Sequence, residues 1–192
     1  MKLKLARKFY RAALVWWKYW SYLFRWLFHR RYEDIRLGRQ LTVGEVLESF
    51  MLLTWTKDSF RELGDACGSP HWTQYAINCV RAGRTQPRGG LDCDDYSIWA
   101  AHVIDQSYKP QLFLAAWMKD GQLKGHVMCL CRVDETTFFH IGNWGKTRNY
   151  TYIEDAANDI MRWTGASDFV GWAILDKELN YQIGGTGLPV GM

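Results

Sequence analysis

Residues 89–106 read Gly89-Gly90-Leu91-Asp92-Cys93-Asp94-Asp95-Tyr96-Ser97-Ile98-Trp99-Ala100-Ala101-His102-Val103-Ile104-Asp105-Gln106. Asp92 is an N-cap residue, and Asp95 stands three positions on as in a capping box, so a helix begins at Cys93 and runs to about Gln106, before Pro110. The character then changes. Residues 111–118, 123–133 and 137–142 are short apolar runs separated by turns at Asp120-Gly121 and Asp134-Glu135, which reads as antiparallel sheet. Upstream, Thr42 with Glu45 forms a capping box for a helix to about Leu63, closed by Gly64. Ser69 and Pro70 fit the cap and first turn of another helix, to about Ala82. Downstream, residues 152–163 read as helix and 169–175 as strand. Helices first and an antiparallel sheet second indicate an α+β domain, with the Cys93 helix packed on the sheet.

The 192 residues are 48% apolar and 23% charged, values that exclude a disordered, collagen-like or low-complexity chain. A chain of this size buries about 70% of its unfolded surface and needs no disulfide or metal staple. Five cysteines without a CxxC pair suggest reduced thiols in a cytosol-like compartment. The net charge of +4 conceals a split: residues 1–32 hold nine Lys and Arg and no acid, while the remainder hold 15 basic against 20 acidic residues. The basic excess belongs to one segment.

In that segment Phe9, Ala13, Trp16, Trp20, Leu23 and Leu27 follow helical spacing, and Lys4, Arg11, Lys18 and Arg25 recur every seven residues. Residues 1–32 therefore read as an amphipathic helix, residues 33–183 as the main domain and residues 184–192 as a flexible tail. Three readings of the helix stand side by side. A membrane-interface helix would set Trp16, Trp17 and Trp20 at the headgroups, with Lys18 and Arg25 against anionic lipid. A docking helix would lay its aromatic face in a partner protein's groove. The third reading packs it on its own domain. Nucleic acid is disfavoured, because no recognised binding motif is present. No uncharged run reaches the roughly 18 residues of a bilayer span, and the short apolar patch has no small-residue cleavage site. The expectation is a cytoplasmic protein, or one peripheral to a membrane or assembly, without a cleavable signal peptide.

Cys93 occupies the helix position where a nucleophile gains most: unbonded backbone N–H groups and the helix dipole favour thiolate and can hold an oxyanion. The surrounding carboxylates oppose this, since a charge about 7 Å away costs about 2 kcal/mol at an effective dielectric near 20. A close imidazolium would restore the balance. His126 opens an apolar run, and a two-residue turn centred between Asp134 and Glu135 pairs position 126 with Asn143. Asn143 would orient the ring and leave the other nitrogen for the sulfur. The same register pairs Cys129 with His140, which reads as packing.

At these residues the chain resembles the bacterial transglutaminase-like cysteine proteinases of the papain-like and transglutaminase-like superfamily. The matching motifs are Gly90-Leu91-Asp92-Cys93-Asp94-Asp95-Tyr96, Gly125-His126-Val127 and Ile141-Gly142-Asn143-Trp144, in the family's order of Cys, His and Asp or Asn. The resemblance implies a nucleophile-bearing helix against an antiparallel sheet and a cysteine peptidase or amidase. Such an enzyme cleaves peptide or isopeptide bonds in a protein or peptide substrate through a Cys93-His126-Asn143 triad and a thioester. The alternatives are a transglutaminase-type acyl transferase, or a non-catalytic assembly or virion component that retains the fold. Gln86 and Trp72 are oxyanion candidates. No cofactor is required by this chemistry, although some relatives bind calcium beside the cysteine, where Asp92 and Asp94 stand here.

Overall fold

The computed structural model describes residues 3–56, 67–87 and 91–191. Five helices and six strands follow in order: α1 (Leu3–Phe24), α2 (Val43–Leu52), α3 (Pro70–Arg81), α4 (Cys93–Val103), β1 (Gln111–Lys119), β2 (Gln122–Arg132), β3 (Phe138–Gly142), β4 (Gly145–Lys146), α5 (Ile153–Thr164), β5 (Asp168–Leu175) and β6 (Tyr181–Thr186). A π-helical turn, Arg25–His29, and a 3-10 turn, Arg30–Tyr32, continue α1.

Local chemistry sets the boundaries. At α2 the Thr42 side chain accepts the Glu45 N–H, while the Glu45 carboxylate accepts the Thr42 N–H at 2.8 Å. At α3 the Ser69 hydroxyl accepts the His71 N–H and Pro70 fills the first turn, where a missing donor costs nothing. The helix expected to reach Leu63 ends at Leu52, and Gly64 and most of that extension lie outside the described residues. Asp120 and Gly121, with φ of 50° and 73°, make the two-residue hairpin turn between β1 and β2, whose left-handed backbone matches the twist of the flanking strands.

The sheet runs β4-β3-β2-β1-β5-β6 with every pairing antiparallel. Val127, Cys129, Cys131, Leu112 and Leu114 meet α4 residues Tyr96 and Trp99 on one face. Phe113, Ala115, Met128 and Leu130 meet Ala156, Ala157 and Ile160 of α5 on the other. β1 and β2 are thus apolar on both sides, and α1 extends the α4 layer through Ala6 and Tyr10 over Ala116 and Val170. The expected tail from residue 184 is corrected at its start. Gly184 and Gly185 belong to β6, opposite Ala173 and Trp172, because a Cβ at Gly184 would meet the Trp172 carbonyl oxygen at 2.4 Å.

Candidate active site

Cys93 is the first residue of α4 and is half-buried. The Asp92 side chain caps the helix by accepting the Asp94 N–H at 3.3 Å, and Asp95 accepts the Gly68 N–H. The Ser97 hydroxyl lies between the carbonyl oxygens of Cys93 at 2.6 Å and Val127 at 2.9 Å, which fixes the first turn of α4 over β2.

His126 is carried by that same strand, but by its other face. Side chains alternate along a strand, and Val127 faces α4, so His126 points with Met128 toward α5. Its ring stacks on Trp144 at 3.9 Å between centroids and 9° between planes, and Trp144 meets Trp163 of α5 edge-on at 6.2 Å. Nε2 of His126 is buried without a hydrogen-bond partner among the described residues. Burial alone pulls the imidazole down to about 3, which keeps it neutral at physiological pH.

The pairing of His126 with Asn143 is corrected. Cys129 pairs with Ile141 and Leu130 with His140, one position away from the register expected. The cause is the connecting loop. Val133 donates to the Thr137 carbonyl, leaving Asp134, Glu135 and Thr136 as a three-residue loop instead of a two-residue turn. The Asp134 carboxylate accepts the N–H groups of Thr136 at 2.8 Å and Thr137 at 2.7 Å, bonds that hold its pKa below the ordinary carboxylate value. Asn143 falls in the exposed β3–β4 turn and makes no hydrogen bond to a described residue. The position beside the imidazole is 142: a Cβ there would stand 3.7 Å from His126 Nε2, and the residue is glycine. The Cys129–His140 pair is likewise broken. His140 stacks on Phe113 on the α5 face, and its Nε2 is buried and unpartnered among the described residues. The Cys129 and Cys131 sulfurs lie 3.8 Å apart on the α4 face, and none of the five cysteines forms a disulfide.

The oxyanion candidates are engaged elsewhere. Gln86 accepts the Thr54 N–H at 2.7 Å and donates to the Thr54 carbonyl at 2.9 Å, in the manner of a strand partner. Trp72 is buried among His29, Tyr32 and Tyr75. Among the described residues, the one group with metal-ligand spacing is Asp92, Cys93 and Asp94, whose donor atoms lie within 4.8 Å of one another. Both carboxylate oxygens of Asp94 are buried without a geometric hydrogen bond to a described residue, and burial first, then the Asp92 carboxylate, raises its pKa well above the ordinary value. Calcium takes about six to eight oxygen ligands, and this set offers two carboxylates and a soft thiol. It does not fit that ion.

Asp92, Cys93 and Asp94 thus stand together at the start of α4, while His126 stacks on Trp144 on the α5 face, Asn143 lies in the β3–β4 turn, Gln86 pairs with Thr54 and Trp72 packs among His29, Tyr32 and Tyr75. Comparisons with known protein families, with curated proteins and with solved structures find no match. The motif resemblance stands on the sequence alone. Trp16 is exposed, Trp17, Trp20, Lys18 and Arg25 are half-buried, and no helix of the described residues is long and apolar enough to cross a membrane.

Proposed function

We propose that this chain acts as a non-catalytic docking module, an α+β domain whose working surface is the cationic, aromatic helix α1. The observation that supports this reading is the placement of Cys93 and His126 on opposite sides of β2. Hydrolysis by a thiol that uses an imidazole as its base needs the ring within hydrogen-bond reach of the sulfur, directly or through one water. Moving His126 to the α4 face would require β2 to flip by one residue, which would also turn Val127, Cys129 and Cys131 away from Tyr96 and Trp99. The glycine at position 142 offers the ring no hydrogen-bonding side chain, and burial keeps it neutral.

A second reading, the cysteine peptidase or amidase, is favoured by the half-buried Cys93 in the first helical turn beside an Asp94 whose pKa burial raises well above the ordinary value. There the sulfur would attack an amide carbonyl and expel the amine. Water would then release the acyl group from the thioester, or a lysine amine would do so in a transglutaminase. Alkylation separates the two readings. Iodoacetamide at pH 6 should label Cys93 at the same rate in the native chain and in His126→Ala if the domain is a docking module. A tenfold or larger loss of labelling in His126→Ala would install the hydrolase reading in its place.

A further inference from the structure

Helix α1 is held to the domain along one side. Ala6, Tyr10 and Ser21 are buried, Arg7 donates to the Phe169 carbonyl at 2.9 Å, and Lys18 donates to Asn180 Oδ1 at 2.8 Å. Arg25 donates to the Cys67 carbonyl and contacts its sulfur, both at 3.3 Å. Gly171 makes the close approach possible, since a Cβ there would come within 2.7 Å of the Tyr10 ring. The helix cannot turn over without losing these contacts, so what it presents outward is fixed.

The outward arc is apolar. Leu5, Phe9, Trp16, Tyr19, Leu23 and Trp26 are all exposed, Trp16 at 67% and Trp26 at 61%. Helical spacing places them on the side away from the sheet, and Lys4, Lys8 and Arg11 lie along one flank of that arc. Arg30 and Arg31 continue the positive charge past the helix end. None of these five cations is in an ion pair with a described residue, and residues 1–32 contain no acid.

We infer that this arc is a lipid-contact surface, with α1 lying flat in the headgroup layer of an anionic membrane and the sheet domain above it. Charge complementarity selects this occupant. The exposed cations attract anionic headgroups, and Trp16, Tyr19 and Trp26 have the apolar body and polar edge that suit the boundary between headgroup and acyl chain. A second copy is a poor occupant, because it would bring together two segments that each hold nine Lys and Arg and no acid. A bilayer span does not suit α1, whose 22 residues include the charged Lys4, Arg7, Lys8, Arg11 and Lys18 and are not apolar enough to cross a membrane. The inference rests on α1 being the working surface and is independent of how the alkylation experiment turns out.

The test is co-sedimentation of the full chain with vesicles of phosphatidylcholine alone or mixed with phosphatidylserine. Binding should be at least about tenfold tighter with phosphatidylserine and should weaken with added salt. The triple variant Lys4→Gln, Lys8→Gln, Arg11→Gln should fall toward the phosphatidylcholine level. Trp16→Ser with Trp26→Ser should reduce binding to both vesicle types while circular dichroism stays unchanged. Absence of binding, or binding indifferent to lipid charge, would overturn the inference. So would a dimer seen by light scattering without vesicles and abolished by the Trp variants.

Discussion

The two faces of the sheet bury opposite kinds of titratable group. On the α4 side Asp94 is a buried acid whose pKa is raised well above the ordinary value by burial and then by the neighbouring Asp92 charge. On the α5 side His126 and His140 are buried bases, each pulled down to about 3, His126 by burial and His140 by burial and then by the charge of His126. Both environments favour the neutral form. A thiolate–imidazolium pair needs charge on both partners at short range, and the burial that keeps His126 neutral opposes the imidazolium. The two faces therefore respond to pH with opposite sign, the α5 face weakened by acid and the α4 face by alkali.

The largest expected effect is on the α5 face. An imidazole at about 3 in the folded chain and 6.5 in the unfolded chain takes up a proton on unfolding anywhere between those values. Stability is therefore full above 6.5 and falls as pH drops toward 3. Between pH 7 and pH 4 urea unfolding should lose on the order of 3 kcal/mol for each buried imidazole. His126→Phe should remove its share, because a ring of similar shape leaves no orphaned Nε2. An acid response unchanged by this substitution would mean that His126 is not a buried neutral base in the folded chain. The next effect is on the α4 face. A carboxyl raised above 3.8 stays protonated in the folded chain where the unfolded chain has released its proton, so its contribution is lost as pH rises through the folded value. Asp94→Asn should then be more stable than the native chain by about 1–2 kcal/mol at pH 8 and no more stable at pH 3. The smallest effect belongs to the exposed turn. Asn143→Leu should change the unfolding free energy by less than about 0.5 kcal/mol, as for a surface side chain away from any network.

Much of the fold is legible in the sequence where the determining chemistry is local. Thr42 with Glu45, Ser69 with Pro70, Asp92 with the Asp94 N–H, and Asp120-Gly121 each satisfy backbone groups within a few residues, and the elements begin or turn where these residues stand. The candidate site is harder because it depends on register and on which face a helix covers. The β2–β3 loop is one residue longer than Asp134-Glu135 suggests, and its signal is the Asp134 side chain accepting from Thr136 and Thr137. That single residue moves the partner of position 126 from Asn143 toward Trp144, which the ring then stacks against. The face of His126 leaves no trace in the pattern. β2 is apolar on both sides from Val127 to Cys131, so alternation shows which residues share a face without showing which face α4 takes. For α1, spacing finds the amphipathic helix, but only the sheet contacts show that Tyr10 faces inward while Trp16 faces out.

The segregation of thiol and imidazole is tested most directly by an NMR titration of the His126 ring in the native chain and in Cys93→Ala. The ring should stay neutral from pH 8 down to about pH 4, with the same curve in both proteins. A midpoint at or above 6.5 that moves when the sulfur is removed would mean that the two groups meet, and the separation across β2 would be wrong.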